Sequence, residues 1–213
     1  MDTSKLMSIE AWKDYAVNRP GQYEVLKQPL YDYNTYAQAG QTLLTYFQNP
    51  VGQGTKTVAD TNMESAGQLP NPKRFLIRGI EIFFTPGVFP SAAPAAASID
   101  NYVNDVFEVF TGAGVLNLFI GSKTYVQAPI NMFPAATRLA GWTGMASQAA
   151  VADVLSRTTY ASSSGTPFGM DPPLILEPTQ NFSVTCVWPT AIGISANARM
   201  GVHLKGLLYR QSQ

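Results

Sequence analysis

Short stretches in which apolar and polar residues alternate recur along this chain of 213 residues, and they restrict the folds open to it more than any other feature. The clearest is QNFSVTCVWP (180–189), in which Phe182, Val184 and Cys186 alternate with hydroxyl-bearing residues. A period of two is that of a β-strand with one buried and one exposed face. Because helical segments do not alternate with these stretches in a βαβ rhythm, the sequence favours antiparallel over parallel sheets.

The same pattern predicts at least seven strands. Gly121-Ser122 is a two-residue turn that closes a hairpin, and Gly79 indicates a bulge or a close backbone contact within its strand. The connections are too long for a simple meander. We therefore predict an all-β fold, an antiparallel β-sandwich of jelly-roll type formed as a single jelly roll. The predicted strands span residues 41–48, 74–86, 116–120, 123–128, 173–178, 180–189 and 200–210.

One or two short helices interrupt the strands. SIDNYVNDVFEVFTGAG (98–114) has a helical period, with Ser98 as its N-cap. Residues 146–157 are a candidate second helix, whereas 51–72 and 160–173 have the composition of loops. The apolar face of the first helix is expected to pack on a sheet and would carry Ile99, Tyr102, Val103, Val106, Phe107 and Phe110.

Residues 1–40 are predicted to form a short N-terminal helix followed by an extended arm, with the jelly-roll sandwich spanning 41–213. The arm concentrates tyrosine without a helical period, and Pro29 interrupts it. An extended segment forms no core by itself, so its rings must lie on another surface. The arm packs either on the chain's own sandwich or on a neighbouring subunit. The tyrosines concerned are Tyr23, Tyr31, Tyr33 and Tyr36.

Low charge distinguishes the composition. Only 13% of the residues are charged, and 14 basic residues balance 14 acidic ones. A net charge of zero argues against strong direct binding of nucleic acid through phosphate neutralisation. It also leaves little electrostatic repulsion between copies of the chain, so we expect an obligate homo-oligomer.

Other features exclude several classes of protein. The single cysteine, Cys186, excludes an intramolecular disulfide framework and is expected to be buried. No apolar run approaches the roughly 18 residues of a membrane span. Residues 1–20 lack the apolar core of a signal peptide, so we expect no export through a signal sequence.

The sequence offers little catalytic chemistry, and we predict no enzyme and no cofactor. His203 is the only histidine, so neither the usual zinc sites nor a metal-binding cupin has enough ligands. Paired carboxylates could form a glycosidase, with Glu81, Glu108 and Glu177 as the candidates. That interpretation requires Glu81 and Glu177 to face each other across a cleft.

A calcium site is a further interpretation. Asp60, Asn62 and Glu64 alternate like the start of a calcium loop. The glycine and the distal glutamate of an EF-hand are missing, so we predict no metal.

The only basic cluster is formed by Lys73, Arg74 and Arg78. It is either a solvated strand edge or a contact with an acidic neighbouring subunit or with packaged nucleic acid. The sequence leaves this role open.

Five segments, taken in order, resemble the jelly-roll capsid proteins of tailless icosahedral bacteriophages. The resemblance spans roughly residues 40–213 and rests on the overall pattern. The segments are an aromatic arm, TNMESAGQLPNPKRFLIRGIEIFF, LNLFIGSKTYVQAPINMFPA, LILEPTQNFSVTCVWP and RMGVHLKGLLYRQ.

This resemblance implies a virion protein that self-assembles into an icosahedral shell through its arm and loops. The shell would form in the host cytoplasm from trimers or pentamers of the chain, together with other virion proteins. Contact with a membrane beneath the shell stays open. The predicted subunit-interface residues are Tyr23, Tyr31, Tyr33, Tyr36 and Phe89.

The alternative is a carbohydrate-binding β-sandwich of a phage spike or of a secreted protein. Such a module would expose aromatic rings on a concave sheet face or on a loop. Trp142, in LAGWTG, is the candidate ring, and a packing anchor is its other interpretation.

Overall fold

The computed structural model describes residues 23–87, 105–133 and 166–211. Within these ranges, nine β-strands form two antiparallel sheets, which confirms the predicted all-β class. Residues 105–111 form a helix, and Ile130–Met132 form one turn of 3-10 helix. The strands are β1 (Tyr23–Leu26), β2 (Leu30–Tyr36), β3 (Leu43–Tyr46), β4 (Arg74–Thr85), β5 (Val115–Ile120), β6 (Lys123–Pro129), β7 (Phe168–Leu176), β8 (Phe182–Val187) and β9 (Ala198–Gln211).

Sheet A contains β1, β2, β9, β4 and β7. Its hydrogen-bonding order is β1-β9-β4-β7, and β2 also pairs with β9. Residues 198–204 of β9 pair with β2 and residues 208–211 pair with β1, so these two strands lie end to end along one edge of β9. The other edge of β9 pairs with β4. The last strand in the chain is therefore the central strand of this sheet.

Sheet B contains the remaining strands in the order β3-β8-β5-β6. The predicted hairpin between β5 and β6 is confirmed, and Gly121 and Ser122 form its turn. Gly121 has a φ of +61°, a backbone conformation that glycine adopts without steric cost and that most residues avoid. This sequence choice fixes the register of the hairpin.

The hydrophobic core lies between the two sheets and draws side chains from both. The alternation predicted for β8 is confirmed, because Phe182, Val184 and Cys186 are all buried. From sheet A, Val202 and Leu204 of β9 are fully buried as well. Burial of each large apolar side chain stabilises the fold by about 1.5–3 kcal/mol, so the facing rows hold the sheets together.

The predicted irregularity at Gly79 is confirmed. The pairing of β4 with both β9 and β7 shifts between Ile77 and Gly79, which is a β-bulge, and Arg78 is exposed there. A Cβ atom at Gly79 would lie 3.0 Å from the carbonyl oxygen of Phe168, tighter than ordinary contact. The glycine thus allows β7 to approach β4 at the bulge.

The tyrosine-rich part of residues 1–40 is paired within its own chain. Residues 23–26 and 30–36 are β1 and β2 of sheet A, so the described part of the predicted arm lies on the chain's own sandwich. The boundary predicted at residues 40 and 41 falls in the connection between β2 and β3. The predicted helix over 4–17 lies outside the described residues.

Two predicted strand bounds need correction. The prediction of a loop over 160–173 is wrong from Phe168 onward, because β7 begins there. Pro172 and Pro173 lie within β7, which is tolerated since this strand lies at the edge of sheet A and needs no donor on its outer side. The strand predicted over 41–48 is shorter, and Phe47, with a φ of +69°, follows its end.

The helix over 105–111 agrees with the helical prediction where it is described. Val106 and Phe110 are buried as expected. Phe107 is 61% exposed, so its assignment to the apolar face was wrong, and Val109 is buried instead. Residues 106, 109 and 110 share one side of a helix with 3.6 residues per turn, whereas 107 lies about 100° away. The candidate helix over 146–157 lies outside the described residues.

Candidate functional site

An aromatic cluster lies on the face of sheet A that points away from the core. It consists of Tyr31 and Tyr33 of β2, Phe83 of β4 and His203 of β9. Tyr31 is the cross-strand partner of His203, and Tyr33 and Phe83 both pair with Gly201. The ring centroid of His203 lies 5.8 Å from Tyr31, 5.4 Å from Tyr33 and 4.2 Å from Phe83. Three strands thus place four rings in one cluster.

A hydrogen bond fixes the histidine inside this cluster. The hydroxyl oxygen of Tyr33 lies 2.8 Å from Nε2 of His203. Desolvation by burial, followed by repulsion from Lys205, lowers the pKa of His203 from 6.5 to about 4. The ring is therefore neutral at pH 7, and either one of its nitrogens or the tyrosine hydroxyl is the donor.

Two cations flank the aromatic cluster, and each has a carboxylate partner. The guanidinium carbon of Arg199 lies 4.1 Å from the ring centroid of Tyr33, and its Nη2 lies 3.0 Å from Asp60 Oδ1. Lys205 Nζ lies 2.8 Å from Glu81 Oε2. Hydrogen bonds from Thr57 are the main cause of the lowered pKa of Asp60. The outer face of sheet A therefore carries paired charges and no net excess of either sign around the cluster.

A polar depression of about 1140 Å³ lies beside Arg199, at the end of the aromatic cluster. Its wall is rich in amides and charged groups, which form hydrogen bonds with polar ligands. Gly87 at its rim is the last residue described before residue 105. Residues of the wall include Asn34, Asn49, Gln53, Lys56 and Asp60.

The outer face of sheet B differs from that of sheet A in its charge. It has one apolar row, in which Leu43 is 54% and Val187 is 38% exposed, and two rows of neutral residues. Lys123, at the hairpin turn, is the only charged residue in the four described strands of this sheet. The rows, read across the strands, are Leu43, Val187, Val115 and Pro129; Thr45, Thr185, Asn117 and Gln127; and Ser183, Phe119 and Thr124.

The predicted interface residues separate into three groups. Tyr31 and Tyr33 lie half-buried on the outer face of sheet A. Tyr36 is fully buried, its hydroxyl donates to the carbonyl oxygen of Ile192, and its ring centroid lies 5.4 Å from Trp188. Within this chain Tyr36 is therefore a core residue, and its assignment to a subunit interface stays a prediction.

Two predicted interface positions cannot be placed. The side chain of Tyr23 and the whole of Phe89 lie outside the described residues. Trp142, the candidate sugar-stacking ring, lies outside them as well. Their roles stay predictions.

The two carboxylates of the glycosidase interpretation lie far apart. Glu81 is paired with Lys205 in the second half of β4, and Glu177 is paired with Arg74 at the start of β4. Seven residues of strand at about 3.3 Å per residue separate the two ion pairs by about 20 Å. Glu108 is exposed on the helix. The required facing pair across a cleft is not formed.

The residues of the calcium interpretation are occupied by other partners. Asp60 accepts hydrogen bonds from Thr57, and the side chain of Asn62 bonds to the backbone of Tyr31 and Pro29. Glu64 is paired with Lys73. Among the residues that the structure describes, no group of three or more His, Cys, Asp or Glu side chains could hold a metal ion.

The structure shows the partners of two of the three residues in the basic cluster. Lys73 pairs with Glu64, and Arg74 pairs with Glu177, with its Nε 2.9 Å from Oε2. Arg78 is exposed at the β4 bulge. Two of the three cations therefore stabilise their own chain.

Sequence reasoning missed two features. The first is the buried ion pair of Asp32 and Lys56, because a separation of 24 positions leaves no local signal in the sequence. The second is the uncharged outer face of sheet B. The sequence did contain a signal for this face, because Lys123 is the single charged residue in the four strands that form it. The sequence did not indicate, however, that these four strands belong to one sheet.

No helix in the described part of the chain is long and apolar enough to cross a membrane. Comparison of the chain with protein-family models, with curated proteins and with solved structures finds no match.

Proposed function

We propose that this chain is a structural protein of a viral capsid, and that its domain is a single jelly roll that assembles with copies of itself into a closed shell. The observation that carries the proposal is the order of the strands. Taking β1 and β2 as one interrupted strand leaves eight strands among the described residues. The first then pairs with the eighth, the second with the seventh, the third with the sixth and the fourth with the fifth. This nested pairing supports a jelly roll, a fold that occurs in viral capsid domains, lectins and cupins.

The chemistry of the chain favours the first of these classes. A metal-binding cupin needs several histidines, and the only histidine, His203, lies on the outer face of sheet A. A shell subunit instead needs broad surfaces that repel no neighbouring copy. The net charge of zero and the uncharged outer face of sheet B supply such surfaces.

Long connections at one end of the sandwich support the same function. The connections β2–β3 and β8–β9 are joined there, with the amide of Ile194 2.8 Å from the carbonyl oxygen of Gln38. Asp105 of the helix accepts a hydrogen bond from the amide of Ser195 at the same end. The connections β4–β5 and β6–β7 also start at this end, and connections between strands often carry the contacts with other molecules.

The test is the mass of the purified protein by light scattering after size-exclusion chromatography, together with electron microscopy of the same sample. Multimers or closed particles are the expected result. A monomer at every concentration, with no particles, would count against a shell protein. A variant that lacks residues 1–22 tests the predicted N-terminal segment without removing β1, whereas a deletion of 1–38 would also remove β1 and β2 from sheet A.

A carbohydrate-binding module is the second candidate, and the polar depression beside Arg199 favours it. The amides of Asn49 and Gln53, which lie in its wall, are suited to hydrogen bonds with sugar hydroxyls. Screening the protein against a glycan array tests this function. Binding that is lost in Gln53→Ala would support it, and an empty array would contradict it.

A further inference from the structure

The outer face of sheet B combines exposed apolar side chains with a neutral polar row, and nothing in the fold described so far uses it. Leu43, Val187 and Val115 lie side by side on β3, β8 and β5. Tyr125 of β6, which is 47% exposed, adds an aromatic ring where the pairing of β5 and β6 shifts. Exposed apolar residues that adjoin one another on a sheet mark an interaction surface, whereas isolated ones do not.

The distribution of charge singles out this face. Sheet A has exposed charged side chains, among them Arg78, Arg199 and Arg210. The four described strands of sheet B have Lys123 alone, and it lies at the turn, at the margin of the face. A face without fixed charge neither attracts an ionic partner nor repels a second copy of itself.

The polar row at the centre of this face contains an unsatisfied group. Asn117 is 8% exposed, and its Oδ1 has no hydrogen-bond partner among the described residues. Its Nδ2 lies 3.4 Å from Oγ1 of Thr185, which is a long hydrogen bond. Because this oxygen is buried, the polar groups of the row that a partner can reach are those of Thr45 and Gln127, which are exposed, and of Thr185, which is half-buried.

The side chains beside Asn117 can both donate and accept hydrogen bonds. Thr45 and Thr185 have hydroxyls, and Gln127 has an amide, all in one row across the sheet. Groups that serve as donor and acceptor can pair with the same groups in an inverted copy. The row is therefore self-complementary, which is the requirement of an interface with two-fold symmetry.

We propose that the outer face of sheet B packs face to face against the same face of a second copy of this chain, about a two-fold axis. This proposal deepens the self-assembly of the proposed function by naming the contact surface. The sheets would lie about 10 Å apart, with the apolar rows of the two copies buried together. Leu43 and Val187 would lose most of their exposure on contact.

The size of the face sets the strength of the pair. Four strands spaced about 4.8 Å apart, each about six residues long, present about 400 Å² per copy. A standard stable interface buries about 800 Å² per partner, so this contact alone gives a weak, concentration-dependent dimer. In a closed shell, further contacts between the same subunits would add to it.

The experiment measures the weight-average mass of the full chain by sedimentation equilibrium over a wide range of protein concentration. We expect a reversible monomer–dimer equilibrium.

Val187→Lys places two like charges across the two-fold axis and should weaken the association at least about tenfold. Thr45→Lys, an exposed position on the same face, should act in the same direction. Val58→Lys is the matched control, since Val58 is 66% exposed on a loop away from this face, and should leave the association unchanged.

The possible outcomes either overturn the proposed pair or distinguish it from the proposed shell function. Association of equal strength in wild type, Val187→Lys and Thr45→Lys would place the contact elsewhere, and the proposed shell function would still stand. A wild-type monomer at every concentration would exclude the pair. If that monomer bound neutral lipid vesicles and Val187→Lys did not, the face would be a membrane contact. A dimer that depends on this face, without particles by electron microscopy, would support the pair and count against the shell. Circular dichroism of each variant confirms that it is folded.

Discussion

Lys56 and Asp32 form an ion pair inside the protein, with Lys56 Nζ 2.8 Å from Asp32 Oδ1 and the two side chains only 11% and 2% exposed. The same ammonium donates to Oδ1 of Asn34, and Oδ2 of Asp32 accepts the amide of Phe47 at 2.7 Å. Burial raises the pKa of Asp32, and its hydrogen bond with Lys56 opposes that shift. The pair thereby ties β2 in sheet A to the end of β3 in sheet B and to the loop that carries Lys56.

Removing one member of this pair should be costly. Asp32→Ala leaves a buried ammonium without its counter-ion and the Phe47 amide without its acceptor, so we expect a loss of about 3–5 kcal/mol in the free energy of unfolding. Lys56→Met, combined with Asp32→Ala, should cost less than the sum of the two single changes. Urea denaturation measures all three. Arg210→Met, which breaks the exposed pair with Glu24, is the control and should cost less than about 1 kcal/mol. Strict additivity of the two buried changes would contradict a direct interaction.

Two glycines in sheet A should respond in opposite ways to the same substitution. A Cβ atom at Gly206 would collide with the backbone carbonyl of Leu76 on the neighbouring strand, whereas one at Gly169 would meet nothing within 4 Å. We expect Gly206→Ala to destabilise the fold by several kcal/mol, about 2–4, because backbone must move. Gly169→Ala should be neutral or stabilise it by up to about 1 kcal/mol, since it reduces the entropy of the unfolded chain. Thermal unfolding followed by circular dichroism compares them. Equal melting temperatures would contradict the close approach of β9 and β4.

The aromatic cluster on sheet A should make stability depend on pH between about 6.5 and 4. Burial lowers the pKa of His203 to about 4, so in this window the unfolded chain binds a proton that the folded chain does not. The contribution is fully present above pH 6.5 and is lost as the pH falls, by about 2 kcal/mol after allowance for partial exposure.

His203→Gln should remove that dependence. Because acidic groups titrate alike in both proteins, the difference between their unfolding free energies at each pH isolates the histidine. The measurement is urea denaturation at a series of pH values from 7 to 4. A constant difference across the series would show that the folded-state pKa is not lowered.

The single cysteine should report on unfolding. Cys186 is fully buried in β8, and burial raises the pKa of its thiol, so the native protein holds almost no reactive thiolate. We expect iodoacetamide to label the native protein only as fast as it opens, and to label it at once in urea. Mass spectrometry of timed samples gives the rate. Rapid labelling without denaturant would mean that β8 is accessible in the folded state.

The strands that the sequence predicted best are those whose two faces meet different surroundings. In β8 and β9, apolar residues that face the core alternate with outward-facing residues that are mostly polar, so a period of two is visible in the sequence. β2 breaks this rule, because Asp32 points inward and is neutralised by Lys56, which is distant in sequence. Its tyrosines were therefore assigned to an arm. β7 was hidden by two prolines that only an edge strand tolerates.

The candidate surfaces were less predictable than the strands. That Tyr31 and Tyr33 lie on a surface could be expected from their amphipathic rings. Their contacts with His203 and Phe83 depend on the pairing of three strands that are distant in sequence. The uncharged face of sheet B arises in the same way, since β3 pairs with β8 across more than a hundred residues. The periodicity of the sequence predicts a single strand, whereas the residues that together form a surface depend on the order of the strands in the sheet.

The central position of β9 has a consequence for the synthesis of the protein. On a ribosome the chain emerges from its N-terminus, and β1, β2 and β4 appear long before residues 198–211, the strand to which all three bind. Until then, these strands have exposed edges with unpaired backbone groups, which favour association with other chains. Sheet A can therefore close only after residue 211 has been made, and the many contacts between distant residues make that closure slow. When many copies are translated close together, wrong association between chains competes with folding most strongly before β9 has been made and sheet A has closed.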